Sequence, residues 1–181
     1  ATRQKAATPT LFDERVECIS DYIVIPETSS ENRLYIPMGW LNSEVIPSNT
    51  LRILSNASLY HLGVLTSCVH MAWMRAVCGR FGTGYRYSNT IVYNNFPWPQ
   101  PSAKQHVKIE QAAQKILDAR ALYPNSSLAD LYNDLLMPFE LRKAHKLNDA
   151  AVCEAYGFDK NISESGIVAE LMRMYQDLTL R

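Results

Sequence analysis

Between Glu44 and Glu110 the sequence holds no Asp or Glu at all. Arg52, Arg75, Arg80, Arg86, Lys104 and Lys108 all fall inside that stretch. The 18 basic and 18 acidic residues of the 181-residue chain cancel, so composition alone does not mark a polyanion binder. A basic region is nevertheless set inside a neutral chain. Cysteine is sparse, and Cys18, Cys68, Cys78 and Cys153 lie far apart with no Cys-x-x-Cys pair. That spacing argues against a zinc site or a disulfide framework and fits a reducing, cytoplasmic setting. No apolar run approaches the roughly 20 residues of a membrane span, and no secretory signal opens the chain.

Catalytic signatures are missing too. An Asp/Asn-Pro-Pro-Tyr/Phe turn, which holds a flipped adenine amino group, does not occur. Asn95-Phe96-Pro97-Trp98 comes near it, but Phe96 stands where the first proline is needed. None of the nine prolines precedes a cysteine, which excludes the nucleophile of cytosine-C5 methylation. No acid has a lysine two positions on, as a common metal-dependent nuclease requires. Gly79 to Gly84 follows a helical pattern instead of joining a strand to a helix, so it is no nucleotide fingerprint. His61 and His70 share no helical face at ligand spacing, and Ser67 beside His70 reads as helix surface. No catalytic and no metal site is assigned.

What is present reads as α+β. Arg15–Pro26, Arg33–Trp40 and Val45–Leu54 have strand character, with Pro37, Gly39 and Pro47 as punctuation. From Ser58 to Cys78 the apolar period becomes helical, and Gly79 stops what reads as one long helix. Tyr85–Tyr93 is expected to be extended, and Pro97, Pro99 and Pro101 mark a boundary. Beyond it Ser102 and Gln105 form a capping box for a helix that Pro124 ends. Ser127–Tyr132, Pro138–Lys146 and Asn148–Tyr156 read as short helices, the last closed by Gly157, and Ser163–Leu178 as a final helix. The expected organisation is a lead-in over 1–11, a mainly β domain with one long helix over 12–100, and a small helical module over 101–181.

Two segments carry recognition chemistry. In Ser29-Ser30-Glu31-Asn32-Arg33, an extended backbone would put Glu31 and Arg33 on one face. A carboxylate there accepts from cytosine N4, and a guanidinium donates to guanine O6 and N7. On spacing alone, a surface turn with an ordinary ion pair is the simpler reading of the two. The stretch from Arg75 to Tyr93 interleaves Arg75, Arg80 and Arg86 with Phe81, Tyr85, Tyr87 and Tyr93. Its glycines at 79, 82 and 84 would let backbone approach a phosphate. The rival reading is a glycine-rich connection whose tyrosines pack on the core.

Longer runs carry a resemblance. Leu59-Tyr60-His61-Leu62-Gly63-Val64-Leu65-Thr66-Ser67, Ala72-Trp73-Met74-Arg75, Tyr85-Arg86-Tyr87-Ser88 and Ile91 to Pro99 resemble the target-recognition domain of MmeI-like enzymes. These are bacterial restriction-modification proteins and related adenine-specific DNA methyltransferases. Leu128–Tyr132, Met137-Pro138, Glu140–His145 and Ala155-Tyr156-Gly157 resemble their C-terminal helical segment.

The resemblance implies a bacterial cytoplasmic parent that methylates adenine N6 with S-adenosylmethionine, often with a nuclease on the same chain. The family's cofactor and catalytic motifs have no counterpart in these 181 residues, so the chain would be the part that grips duplex DNA beside the parent's methyltransferase domain. Ser29, Ser30, Glu31 and Arg33 resemble the segment where such enzymes vary base contacts and are assigned to base reading. Arg75, Arg80, Arg86, Tyr87 and Lys104 are assigned to phosphate. The alternative is a protein–protein docking module using Phe96–Pro101 and the helical tail, which predicts a large apolar surface patch. A small enzyme assembled from distant residues would instead require a deep pocket with perturbed titratable groups.

Overall fold

The computed structural model describes Ala6, residues 19–159 and residues 161–180. The rest of the expected lead-in, Cys18 and the first part of the Arg15–Pro26 run lie outside the described residues.

Two three-stranded antiparallel sheets lie in the first hundred residues. The first has the order β3-β1-β4, formed by β1 (Tyr22–Pro26), β3 (Gly39–Leu41) and β4 (Leu51–Leu54). β1 is central, with Ile23 opposite Trp40 on one side and Leu54 on the other. Tyr22, Ile23, Val24 and Ile25 are all buried, which suits a strand of branched and aromatic residues covered on both faces. Pro26 falls at the strand's last position, where its missing N–H breaks no interior ladder. The second sheet has the order β2-β6-β5, with β2 (Thr28–Ser29), β5 (Gly79–Phe81) and β6 (Gly84–Arg86). Glu27 joins the two sheets: its N–H donates to the Thr50 carbonyl, and its carbonyl accepts from the Tyr87 N–H.

The expected long helix is two helices, α1 (Leu59–Leu65) and α2 (Cys68–Val77). Thr66 and Ser67 turn their hydroxyls back onto the Leu62 and Val64 carbonyls, and Ser67 Oγ then caps α2 by accepting from the His70 N–H. Tyr85–Tyr93, expected to be extended, is so only to Arg86; Asn89–Tyr93 forms a π-helical turn, with Trp73 Nε1 donating to the Val92 carbonyl.

The second half is helical as expected: α3 (Ala103–Ala121), α4 (Leu128–Leu131), α5 (Phe139–Tyr156) and α6 (Glu164–Thr179). Ser102 and Gln105 form the capping box of α3, and Gly157 closes α5 at φ 72°. The two short helices expected over 138–156 are one. Asn148, expected to open the second of them, is buried in mid-helix and donates from Nδ2 to the Gly63 carbonyl at 2.7 Å. α1 packs on α3, and α2 packs on α5 and α6. Leu62, Val64 and Val69 therefore share one core with Ile109, Ile116, Leu141, Val152 and Leu171. Pro101 marks a change of secondary structure, while the core runs on across it.

Candidate nucleic-acid interface

The second sheet brings the two recognition segments together. β5 and β6 form a two-residue hairpin turned by Gly82 at φ 59° and Thr83, with Phe81 opposite Gly84. A positive φ at the first central position is where such hairpins favour glycine. Gly84 is needed for a different reason: a Cβ there would meet the Ser29 carbonyl oxygen at 2.8 Å. Gly82 and Gly84 thus serve the sheet itself, and of the three glycines Gly82 faces open space.

On this hairpin Arg80 lies 4.5 Å above the Tyr85 ring and donates to the Thr83 carbonyl at 3.4 Å. Among the described residues no carboxylate lies within salt-bridge distance of Arg80. Phe81 is 71% exposed at the tip. Strand alternation puts Arg86 on the other face from Tyr85. There Arg86 donates to Glu27 Oε1 at 3.1 Å, while Arg52 meets Glu27 Oε2 at 3.2 Å. Two guanidiniums on one carboxylate leave that face positive. Sequence reasoning missed Glu27; its place at the sheet crossover could be read only from the fold.

The segment from Ser29 to Arg33 does not continue as a strand. The Arg33 N–H donates to the Ser30 carbonyl at 3.3 Å, and the Asn32 N–H donates to Ser30 Oγ at 3.2 Å, which closes a turn. Glu31 and Arg33 therefore do not share a strand face, because the backbone between them bends. Glu31 is exposed and faces the hairpin. Its own backbone N–H, then the Thr83 hydroxyl and the Arg80 charge, hold its carboxyl below the usual range. Arg33 points the other way, with Nη2 at 3.5 Å from the Ala129 carbonyl. Ser30, Asn32 and Arg33 line one wall of an open cavity of about 510 Å³, and Asn133, Asp134 and Leu135 line the other. Ser29 is buried with an unpartnered Oγ, so it supports the turn from beneath and offers no hydroxyl at the surface.

Three residues assigned to phosphate stand elsewhere. Arg75 makes a two-pronged ion pair with Glu164 of α6, at 2.7 and 3.0 Å, and donates to the Leu34 carbonyl. Tyr87 is 1% exposed, with its hydroxyl 3.0 Å from His70 Nε2. Lys104 is exposed on the first turn of α3, a helix that packs on α1 and α5 and not on the hairpin's sheet. Arg80 and Arg86 are the members of that set that the fold presents beside the turn.

Other candidate groups are held in packing. His61 Nδ1 accepts from the Ser58 N–H at 3.1 Å. Burial lowers the pKa of both His70 and His145 to about 3. Asn95 donates to the Thr90 and Ile91 carbonyls, and Phe96 is buried against His70 and Trp98. The Phe96–Pro101 segment is occupied by its own chain, since Tyr156 donates to the Pro97 carbonyl and Tyr60 to that of Pro99. Far apart in sequence, Cys68 and Cys153 bring their sulfurs to 3.9 Å as free thiols. Among the described residues no cluster of His, Cys, Asp and Glu is placed to hold a metal ion, and no helix is long and apolar enough to cross a membrane. None of the buried histidines lines the cavity beside the turn.

Comparison with known proteins places this arrangement. The target recognition domain of MmeI matches residues 1–100, and the C-terminal domain of MmeI matches residues 101–181. DNA methyltransferase A of Bacillus subtilis (strain 168) is 41% identical over 180 residues, which are 99% of this chain and 20% of that protein. A solved structure of the Type IIL restriction-modification enzyme MmeI in complex with DNA superposes with a TM-score of 0.94 at 47% identity, over 99% of this chain and 24% of that one. The chain thus spans about a fifth to a quarter of the length of these relatives. With both of its halves matched, it belongs to the MmeI family, as the target recognition domain followed by the C-terminal domain.

Proposed function

We propose that this chain reads a specific sequence in duplex DNA for a restriction-modification methyltransferase. The observation that carries the reading is the second sheet. It sets the turn Ser30–Arg33, exposed at Glu31 and Asn32 and half-buried at its ends, beside an exposed hairpin bearing Arg80 and Arg86 on opposite faces. A two-stranded ribbon fits the major groove, where a carboxylate and a guanidinium distinguish base edges. Cations on the ribbon's two faces suit the two phosphate walls that flank the groove. Glu31 and Arg33 would read bases, Ser30 would shape the turn, and Arg80 and Arg86 would contact phosphate. The named relatives, a DNA methyltransferase and an enzyme solved with DNA, support the same reading. On it, the parent protein methylates adenine N6 with S-adenosylmethionine in a bacterial cytoplasm, and an endonuclease domain belongs to the same proposal. The methyltransferase domain is the chain's protein partner.

The test is binding to random 30-base-pair duplexes at two salt concentrations, with Arg80→Ala, Arg86→Ala alongside. Each phosphate contact adds about 0.9 to the slope of log affinity against log salt, so the double variant should lose about 2 from it. An intact chain that binds nothing at low salt overturns the reading.

One observation favours a docking role in addition. Leu135 and Leu136, between α4 and α5, and Phe139, the first residue of α5, are 93%, 70% and 74% exposed. An apolar cluster of that kind marks a contact with another protein surface, and the parent's methyltransferase domain is the partner it would suit.

A further inference from the structure

The segment that leaves the reading turn, residues 34–38, has neither helix nor strand, yet Tyr35, Ile36 and Met38 are buried. Irregular backbone in an interior needs a partner for each polar group. Here the partners come from three helices. Arg75 of α2 donates to the Leu34 carbonyl at 3.2 Å, and Arg120 of α3 donates to the Met38 carbonyl at 2.9 Å. From α5, Asp149 Oδ2 accepts the Tyr35 hydroxyl at 2.6 Å, while Oδ1 accepts the N–H of Cys68, the first residue of α2, at 2.7 Å. The Tyr35 ring also stacks on His145 at 4.1 Å.

A carboxylate drawn out of water is costly unless its oxygens are satisfied, and Asp149 is satisfied by these two short bonds. Apolar side chains would fill the same space without that cost. What the carboxylate adds is direction, since it fixes the hydroxyl to hydrogen-bond geometry and ties it to the start of a helix. Tyr35 lies two residues after Arg33. Recognition groups must be held to about half an ångström to keep a productive contact.

We propose that Asp149 is a positioning residue for base reading: through Tyr35 it fixes the exit of the turn Ser30–Arg33, and so where Glu31 and Arg33 stand over the bases. The proposal rests on the reading of the chain as a DNA reader.

The experiment selects bound duplexes from a random pool with the 181-residue chain and sequences them. Tyr35→Phe keeps the ring stack and removes the hydroxyl; Asp149→Ala removes the acceptor. Both should lower base enrichment at one or two positions at least about fivefold, within the range of a single base contact, while the salt slope stays the same. Asp149→Asn keeps an oxygen for the Cys68 N–H and reverses the other bond, its amide N–H donating to the Tyr35 hydroxyl oxygen, so it should restore enrichment. Ile167→Val, which trims a buried side chain of α6 and removes none of the hydrogen bonds to residues 34–38, should leave enrichment intact and controls for stability. Variants at Tyr35 and Asp149 that enrich the same bases as strongly as wild type overturn the proposal. A wild-type chain that enriches no base overturns the base-reading proposal itself, and that is seen before any variant is made.

Discussion

In the first sheet every residue of β1 from Tyr22 to Ile25 is buried, whereas in the second β5 exposes all three of its residues. The two sheets have the same strand count and the same antiparallel pairing, and they are continuous in sequence through Glu27. The first is a wall of the core: its central strand is apolar on both faces and offers nothing to a ligand. In the second, Ser29 and Tyr85 are buried, Arg80 covers the Tyr85 ring on that same face, and Glu31, Phe81 and Arg86 are exposed around it. Burial thus falls to the first sheet and exposed charge to the second, and on the proposed function stability and recognition divide the same way.

That division can be tested. Ile23→Ala, in the wall, should lower stability by about 2–5 kcal/mol in urea unfolding, as deletion of a well-packed core side chain does. A loss under about 0.5 kcal/mol would mean that the first sheet is not structural in this sense. Acid should come next in size. His70 and His145 have pKa values near 3 when folded, against 6.5 as free side chains, because burial disfavours the charged ring. The unfolded chain therefore binds protons that the folded chain refuses between about pH 6.5 and 3. Stability held above pH 6.5 is lost as pH falls through that window, at about 2 kcal/mol for each histidine by pH 5. Asp149, whose carboxyl is raised by burial, works against the trend at the acid end. Melting temperatures that stay level from pH 7 to 5 would show that the rings take up protons in place.

Beside the second sheet, Glu31→Gln should change base preference by about 1–3 kcal/mol at one position. Its melting temperature should not move, because the carboxylate is exposed. The smallest effect should come from Phe81→Ala, with stability within about 0.5 kcal/mol of wild type despite the loss of an aromatic ring. A larger loss would show that the hairpin tip is packed and would blur the contrast between the sheets.

Much of the scaffold was legible because its signals are local. The Ser102–Gln105 box, the Gly157 stop and the apolar stripe of α6 each depend on residues a turn or two apart. The break at Thr66–Ser67 was hidden because the apolar period runs through it; the Thr-Ser pair was the signal, and its back-bonded hydroxyls carry the meaning. Asn148 misled in the opposite sense, since its partner is the carbonyl of Gly63, 85 positions away. The candidate site divides in the same way. Arg80 and Arg86 were picked out by residue type in an acid-free neighbourhood, Glu31 by its spacing from Arg33 and the resemblance of its segment, and the fold sets that segment beside the hairpin. Arg86 keeps its side chain exposed although Glu27 pairs with it, whereas Arg75 and Tyr87, of the same residue types, are drawn inward by Glu164 and His70, and no spacing rule reveals partners 89 and 17 positions off.

The unbroken core across Pro101 also bears on how the recognition unit can be inherited or moved. A gene fusion that took only residues 1–100 would strip α3 from α1 and α6 from α2, leaving Leu62, Val64 and Val69 in water. Such a graft would arrive as an aggregating fragment whatever its turn and hairpin could read. On the proposed function, a working exchange of sequence preference between relatives carries the helical tail along with the turn Ser30–Arg33, or else stops at a few exposed side chains beside the hairpin.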